Sequence, residues 1–395
     1  MGRPIESPAE SPPESPMIPP LVHHTGLEWT GGATRVARLL AEGMAASGLP
    51  VRLTCEVAES GVHLGESPHA HASSVVTPGG FGPALALTEA AHIHCSGDWS
   101  GLLGAIPQGT RVVMTLHDCE LFTGGCPYPL DCQGLEAQCA APCPRAFADS
   151  DRVRHGKYQS LHRLDPVLIA PSRWLARLAK SHLHRPVTVI PNGIPWPDHP
   201  MSRHEARARL GLLPAARVAV FAAHGGLGAA YKSGGDWRGL WKAIKARVPG
   251  ALCFAVGGDT EGREGDLVIW PYVERERLAL LMAAADALLY PTLADNHSLV
   301  ILEAMAQGLP VVGYAVGGVP EQVSHDETGL LVAPRNRAAF IEAAAALLVD
   351  PARCRRLGTN AFVSGSRRFA AQRMVADHLK VYHQLGEPRP RQGES

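Results

Sequence analysis

At 395 residues the chain exceeds the roughly 100–200 residues of one ordinary core, so two domains with a cleft between them are expected. Lysine plus arginine (37) balances aspartate plus glutamate (37), which denies the chain the broad positive field of a nucleic-acid binder, and 46% hydrophobic with 19% charged residues is ordinary globular composition. No window supplies the roughly 18 apolar residues of a membrane span and no basic-then-apolar leader opens the sequence, so a cytoplasmic protein with at most peripheral contact at an inner membrane face is expected.

Residues 1–18 repeat Glu-Ser-Pro, too polar to offset the entropy of ordering, and read as a disordered tail, as do residues 386–395. A short apolar run at Pro20–Val22, the pair Gly31-Gly32 and a helical pattern over Thr34–Ser47 then make a β-α unit. Buried-strand candidates follow at Val51–Thr54, His92–His94, Val112–Leu116, Val167–Ala170 and Val187–Ile190, which predicts a mostly parallel sheet covered on both faces. The breaker stretch Pro191–Pro197 marks a linker, with one domain over 19–192 and a second over 193–365. In the second the rhythm restarts at Val218–Ala222, Leu252–Val256, Leu267–Ile269, Ala287–Leu289 and Val311–Tyr314. Two open α/β sheets bind ligands at the carboxyl ends of their strands, so the loops there matter most. The basic stretches Arg203–Arg209 and Arg353–Arg356 read as solvated helix faces.

After the strand ending at Tyr290 comes a polar loop with Asp295, a helix beginning near Ser298 and carrying Glu303, and a stop at Gly308 and Pro310. A helix N-terminus facing a cleft suits an anion; Glu303 could hold a diol such as a ribose, and Asp295 a sugar hydroxyl. Taken alone, Asp295 reads equally as a cap and Glu303 as a solvated helix residue. Lys232, in the loop Tyr231-Lys232-Ser233-Gly234 after Val218–Ala222, could neutralise a diphosphate or simply face solvent. His117-Asp118 ends the strand Val112–Leu116, where a histidine is a structural or a ligand-facing residue.

The string from Asp295 through Leu302-Glu303-Ala304-Met305-Ala306, Gly308 and Pro310-Val311-Val312 resembles the acid-x7-acid signature of glycosyltransferase family 4, with Asp295 where glutamate is usual. Gly317-Gly318-Val319-Pro320-Glu321 and Thr328-Gly329-Leu330-Leu331-Val332 fit the same text. Some members similar to exopolysaccharide and capsule transferases read Ala-Asp-Asn at this point, as Ala294-Asp295-Asn296 does here. The resemblance implies an α/β GT-B fold, two Rossmann-like domains facing each other across a cleft, with a final helix over 366–385 crossing back. It implies a retaining transferase taking a UDP- or GDP-sugar to a glycan, lipid-linked or small-molecule acceptor in polysaccharide or glycoconjugate biosynthesis.

By the same resemblance Glu303 would meet the ribose. Asp295, Asn296, His297, Ser298 and Leu299 would hold the donor sugar and phosphates, Lys232 the diphosphate, Gly31 and Gly32 the facing loop, and His117 the sugar. The arginine that family members carry five or six residues before the lysine is replaced by Gly226 and Leu227, leaving His224 as the nearest polar candidate. No Asp-x-Asp motif stands on a suitable strand end, so no cofactor is expected in the reaction. Cys126, Cys132, Cys139 and Cys143, in the insert 119–147, could hold a structural zinc, form two disulfides or remain free thiols. Two other functions share the fold: a sugar-nucleotide isomerase or hydrolase, and a catalytically silent protein that binds nucleotide sugars or serves as a scaffold.

Overall fold

Seven short strands in each half of the chain pair side by side into two separate sheets. The computed structural model describes residues 18–59, 73–224, 226–228 and 230–386, so the expected tails fall almost wholly outside the described residues. The first half runs β1 (Leu21–Leu27), α1 (Gly32–Ala46), β2 (Val51–Val57), β3 (Ser73–Val75), β4 (Ala90–Ile93) and α2 (Trp99–Ala105). It continues with β5 (Arg111–Thr115), α3 (Ser150–Leu164), β6 (Val167–Ala170), α4 (Arg173–Leu183) and β7 (Val187–Val189). Its sheet has the order β3-β2-β1-β4-β5-β6-β7, parallel throughout.

The second half runs α5 (Arg203–Arg209), β8 (Arg217–Ala222), α6 (Trp237–Arg247), β9 (Ala251–Gly258), β10 (Gly262–Glu264), β11 (Leu267–Pro271) and α7 (Arg275–Ala284). Then come β12 (Ala287–Tyr290), α8 (Leu299–Ala306), β13 (Val311–Tyr314), α9 (Val319–Gln322), β14 (Gly329–Val332), α10 (Arg337–Leu348) and α11 (Pro351–Arg368). The sheet order is β10-β11-β9-β8-β12-β13-β14, and only the short β10 runs antiparallel to its neighbour. Continuous apolar runs such as Val218–Ala222 and Ala287–Tyr290 are buried on both faces, which is why they read as runs rather than as alternation.

Strand order reverses between β1 and β4 in one sheet and between β8 and β12 in the other, and at such points the loops part to leave a crevice. The loops after β1, β8 and β12 carry Gly31-Gly32, Lys232 and Asp295. The sequence signals and the two switch points therefore converge on one cleft.

The closing helix differs from the expected span. α11 ends at Arg368, the chain breaks at Phe369-Ala370, and α12 (Ala371–Gly386) restarts toward the first domain. At that break Ile194 of the linker donates to the Phe369 carbonyl (3.0 Å) and accepts from the Ala371 N–H (2.8 Å), so both crossings between the domains are tied together. Met374, Val375, Val381, Tyr382 and Leu385 of α12 enter the core of the first domain beside Leu40 and Met44. Each such side chain contributes about 1.5–3 kcal/mol on burial.

The Arg203–Arg209 helix is only partly a solvated face: Arg209 is exposed, but the other two arginines turn inward. Arg207 and Asp286 are both buried and joined at 3.0 Å, and Arg203 reaches the same carboxylate at 2.5 Å. Arg353 and Arg356 do stand at the surface, where both pair with Asp326.

Candidate functional site

One cleft of about 360 Å3 opens between the sheets, and the residues singled out above line it: Gly31, Gly32, His117, His224, Lys232, Asp295, Asn296, His297, Ser298, Leu299 and Glu303. The cysteines do not; they line a separate, smaller cavity.

Asp295 follows β12 and is almost fully buried. Its carboxylate accepts from the Asn296 N–H at 2.8 Å, from the Tyr290 hydroxyl and from the Lys232 ammonium. Tyr290 also accepts from Lys232 at 2.9 Å and meets Ser298 Oγ at 3.0 Å. Burial would lower the Lys232 pKa, but the Asp295 charge and the Tyr290 hydroxyl outweigh it and hold the ammonium above its ordinary value. Burial and then the same carboxylate raise the Tyr290 phenol.

Lys232 is held there by its own loop: Leu293 N–H donates to the Tyr231 carbonyl at 2.7 Å, and Ser233 Oγ to the Pro291 carbonyl at 2.6 Å. The result is a cation fixed beside the start of α8. An α-helix leaves its first N–H groups without intrahelical partners and carries a positive end there, so the two together make an anion site.

Glu303, on α8, is not solvated. It is paired across the cleft with Arg35, and both side chains are mostly buried. Arg35 stands in the first turn of α1, whose N-cap is Gly31 with φ at 95°, a conformation that glycine adopts without strain. Gly32 lies beside Leu299 Cδ1, so the glycine loop of one domain faces the head of α8 in the other.

Asn296 is a bridge. Its Nδ2 donates to the carbonyls of Leu116 (3.2 Å) and His117 (3.1 Å), and its Oδ1 accepts from Ser172 Oγ at 2.5 Å. The side chain is thereby spent on holding the domains, leaving its backbone to the cleft. His297 is held through its carbonyl by Asn192 Nδ2 at 3.1 Å, and its ring packs on Phe369 near the linker. Burial, against the pull of Asp295, brings the His297 imidazole down to about 3. Glu321 reaches back across the interface and accepts from the Arg173 and Trp174 N–H groups (2.8 and 2.7 Å) at the head of α4. His224 is exposed at the rim, against the Tyr272 ring.

Sequence reasoning missed Arg35, Tyr128, Tyr272, Arg275 and Tyr290, all of which line the cleft. Two arginines thus stand there although Gly226 and Leu227 occupy the family's arginine positions. Asp118 also lines the cleft; burial and then the neighbouring Glu120 push its carboxyl up to about 7.

The cysteine loop docks beside this site. Arg145 donates to the Tyr231 hydroxyl at 2.6 Å, next to Lys232. Cys126, Cys132, Cys139 and Cys143 surround a cavity of about 20 Å3, and all nine cysteines of the chain are unpaired. Among the described residues the one group whose potential ligand atoms already lie within 4.8 Å of one another is His23, His92 and His94, so the four sulfurs are not as closely drawn.

Comparison with known proteins accounts for both halves. Residues 30–195 match the model described as Glycosyltransferase Family 4, and residues 261–363 that described as Glycosyl transferases group 1. A D-inositol 3-phosphate glycosyltransferase of Xylanimonas cellulosilytica is 32% identical over 239 residues, 55% of this chain and 55% of that one. An N-acetyl-alpha-D-glucosaminyl L-malate synthase of Bacillus anthracis is 31% identical over 112 residues, 28% of this chain and 29% of that one. The chain therefore spans about half, or less, of the length of these relatives. Among solved structures, a sucrose-phosphate synthase of Thermosynechococcus elongatus superposes with a TM-score of 0.71 at 21% identity, covering 93% of this chain and 99% of that one. Anabaena HepE, solved in complex with UDP, gives 0.71 at 16% identity over 92% of this chain and 100% of its own. With the two family models falling on the two facing domains, the chain belongs to glycosyltransferase family 4 and has the GT-B fold.

Proposed function

We propose that the protein transfers a sugar, with retained configuration, from a nucleotide-sugar donor to a glycan, lipid-linked or small-molecule acceptor. The observation that carries this reading is the convergence of Lys232, the head of α8, Asp295 and Glu303 on one cleft. Glu303 supplies a carboxylate for a ribose diol, and Lys232 with the α8 N–H groups supplies positive charge for a diphosphate in the same cleft. As the bond from the anomeric carbon to the phosphate oxygen breaks, a bond to the acceptor oxygen forms on the same face. The acceptor proton passes to the departing phosphate oxygen. Charge grows on the diphosphate during that step, where Lys232 is already placed to meet it. Asp295 holds Lys232 and meets a sugar hydroxyl.

UDP is the first nucleotide to test, because Anabaena HepE is described both with UDP and with UDP-glucose bound. Calorimetry with UDP, GDP and ADP, then turnover over a panel of donors and acceptors, tests the whole reading; no binding of any of the three would favour a silent scaffold. Donor breakdown with no acceptor present would favour a hydrolase. Glu303→Ala is expected to weaken UDP binding by tenfold or more, and an unchanged affinity would remove Glu303 from the site.

We further propose that the four loop cysteines hold a structural zinc. Their cavity has room for about one atom. The donor set is the all-thiolate set that zinc favours. At Cys143 burial works against ionisation, but the Arg145 and Phe147 N–H groups, with Ser150 and the Arg145 charge, together outweigh it and hold the thiol below its usual range. Binding would draw the sulfurs inward and pin the loop against Tyr231.

A further inference from the structure

Several histidines meet beneath the cleft, and of these only His117 lines it. His23 on β1 stands in register with His92 on β4, and His94 lies two residues beyond His92, so all three share one face of the sheet. His117 follows β5 and lines the cleft. The rings connect in a line: His23 Nδ1 is 3.0 Å from His94 Nε2, and His94 Nδ1 is 3.2 Å from His117 Nε2. His92 stands beside the line, held by Thr115 Oγ1 at 2.8 Å and Tyr382 Oη at 2.5 Å. Burial drives His23, His94 and His117 far below the ordinary histidine range, so each ring is neutral and carries one hydrogen.

Two links between neutral rings allow two proton arrangements. If the hydrogens point inward from His117, the last one falls on His23 Nε2, which is buried with no partner among the described residues. If they point outward, His23 donates from Nδ1 to His94, His94 donates from Nδ1 to His117, and His23 Nε2 is left bare. Buried N–H groups without an acceptor are rare in folded proteins. His378 on α12 shows the same outcome next to this line: its Nδ1 hydrogen goes to the Met374 carbonyl at 2.8 Å, and its buried Nε2 has no partner among the described residues. The outward arrangement leaves the single hydrogen of His117 on Nδ1, the nitrogen that the line does not use.

We infer that His94 and His23 are positioning residues that lock His117 in the tautomer presenting its Nδ1–H to the cleft. The inference rests on that cleft being the sugar-transfer site. A neutral donor fixed there can bond a sugar hydroxyl oxygen and orient the ring, without adding a second charge to compete with Lys232 for the diphosphate.

Proton–nitrogen correlation spectra of unliganded protein carrying nitrogen-15 histidine, with His117 assigned by its loss in His117→Gln, read the tautomer directly. The Nδ1–H form is expected; the Nε2–H form or a protonated ring overturns the inference. His94→Leu is expected to release His117 into a mixture of tautomers, and His94→Asn, whose amide can donate from the place of Nδ1, to restore the single form. An unchanged His117 signal in His94→Leu sinks the relay. Should a thermal melt show that the leucine variant does not fold, the wild-type spectrum still decides. UDP calorimetry on the same samples separates the two ideas: no UDP binding by wild type fails the site, whereas the tautomer is measured without any ligand.

Discussion

A Cβ placed on Gly318 would sit 1.7 Å from the Asn296 carbonyl oxygen, and one on Gly317, whose φ is +55°, would sit 2.0 Å from that of Asp295. The loop after β13 thus lies flush against the back of the acid loop, and Gly318 N–H donates to the Asp295 carbonyl at 3.0 Å. Gly318→Ala is expected to cost roughly 1–3 kcal/mol of stability by urea unfolding and to weaken UDP binding, because the strain is relieved by moving Asn296. Unchanged stability and affinity would show that the loop has slack. At this scale Asp295 and Glu303 were legible because spacing and neighbouring text coincide. Arg35 was not, since its partner lies 268 positions away. One local sign existed: a cation in the first turn of a helix opposes the helix dipole and calls for a compensating anion. Tyr290 was hidden for another reason. It ends a buried strand and reads as core, although its hydroxyl emerges at Asp295.

Eleven of the strands were expected close to where they stand, because a parallel strand buried on both faces leaves an unbroken apolar run. β3 and β10 escaped notice, being three residues each at the sheet edges, with Val75 their one apolar side chain. β14 was recognised as family text without being read as a strand. The break at Phe369-Ala370 was also illegible, since nothing between α11 and α12 forbids a continuous helix; the Ile194 hydrogen bonds decide it. The cysteine loop is the element where sequence fixed composition but not chemistry. Protein purified without chelator is expected to hold about one zinc per chain by metal analysis, and the Cys126→Ser, Cys143→Ser double variant none. Metal-free wild type with an unchanged melting temperature would return the four to free thiols.

The molecule as a whole is held closed by contacts that run between the domains: Asn296 to the end of β5, Glu321 to the head of α4, Arg145 to Tyr231, and α12 packed into the far core. No helix among the described residues is long and apolar enough to cross a membrane. Beneath α12 the buried histidines give the fold a direction of acid sensitivity. Burial brings His23 down to about 3 and His378 to about 4 from 6.5. Between those values the unfolded chain binds protons that the folded chain refuses, so stability falls as pH drops from 6.5 toward 4, by up to about 1.4 kcal/mol per pH unit per ring. Melting temperatures across that interval are expected to decline steadily, and a flat profile would mean that the rings take up protons while folded.

The pair between Arg35 and Glu303 joins closure to occupancy. Its carboxylate is the one a ribose would take, so a ligand with a vicinal diol enters by exchange, and one without a diol has nothing to offer Glu303 in place of the guanidinium. Arg35→Ala is therefore expected to bind uridine more tightly by calorimetry, and a weaker affinity would mean that Arg35 serves the ligand instead. Discrimination against free phosphate or a bare sugar phosphate then arises from what such a molecule fails to displace rather than from what it fails to touch.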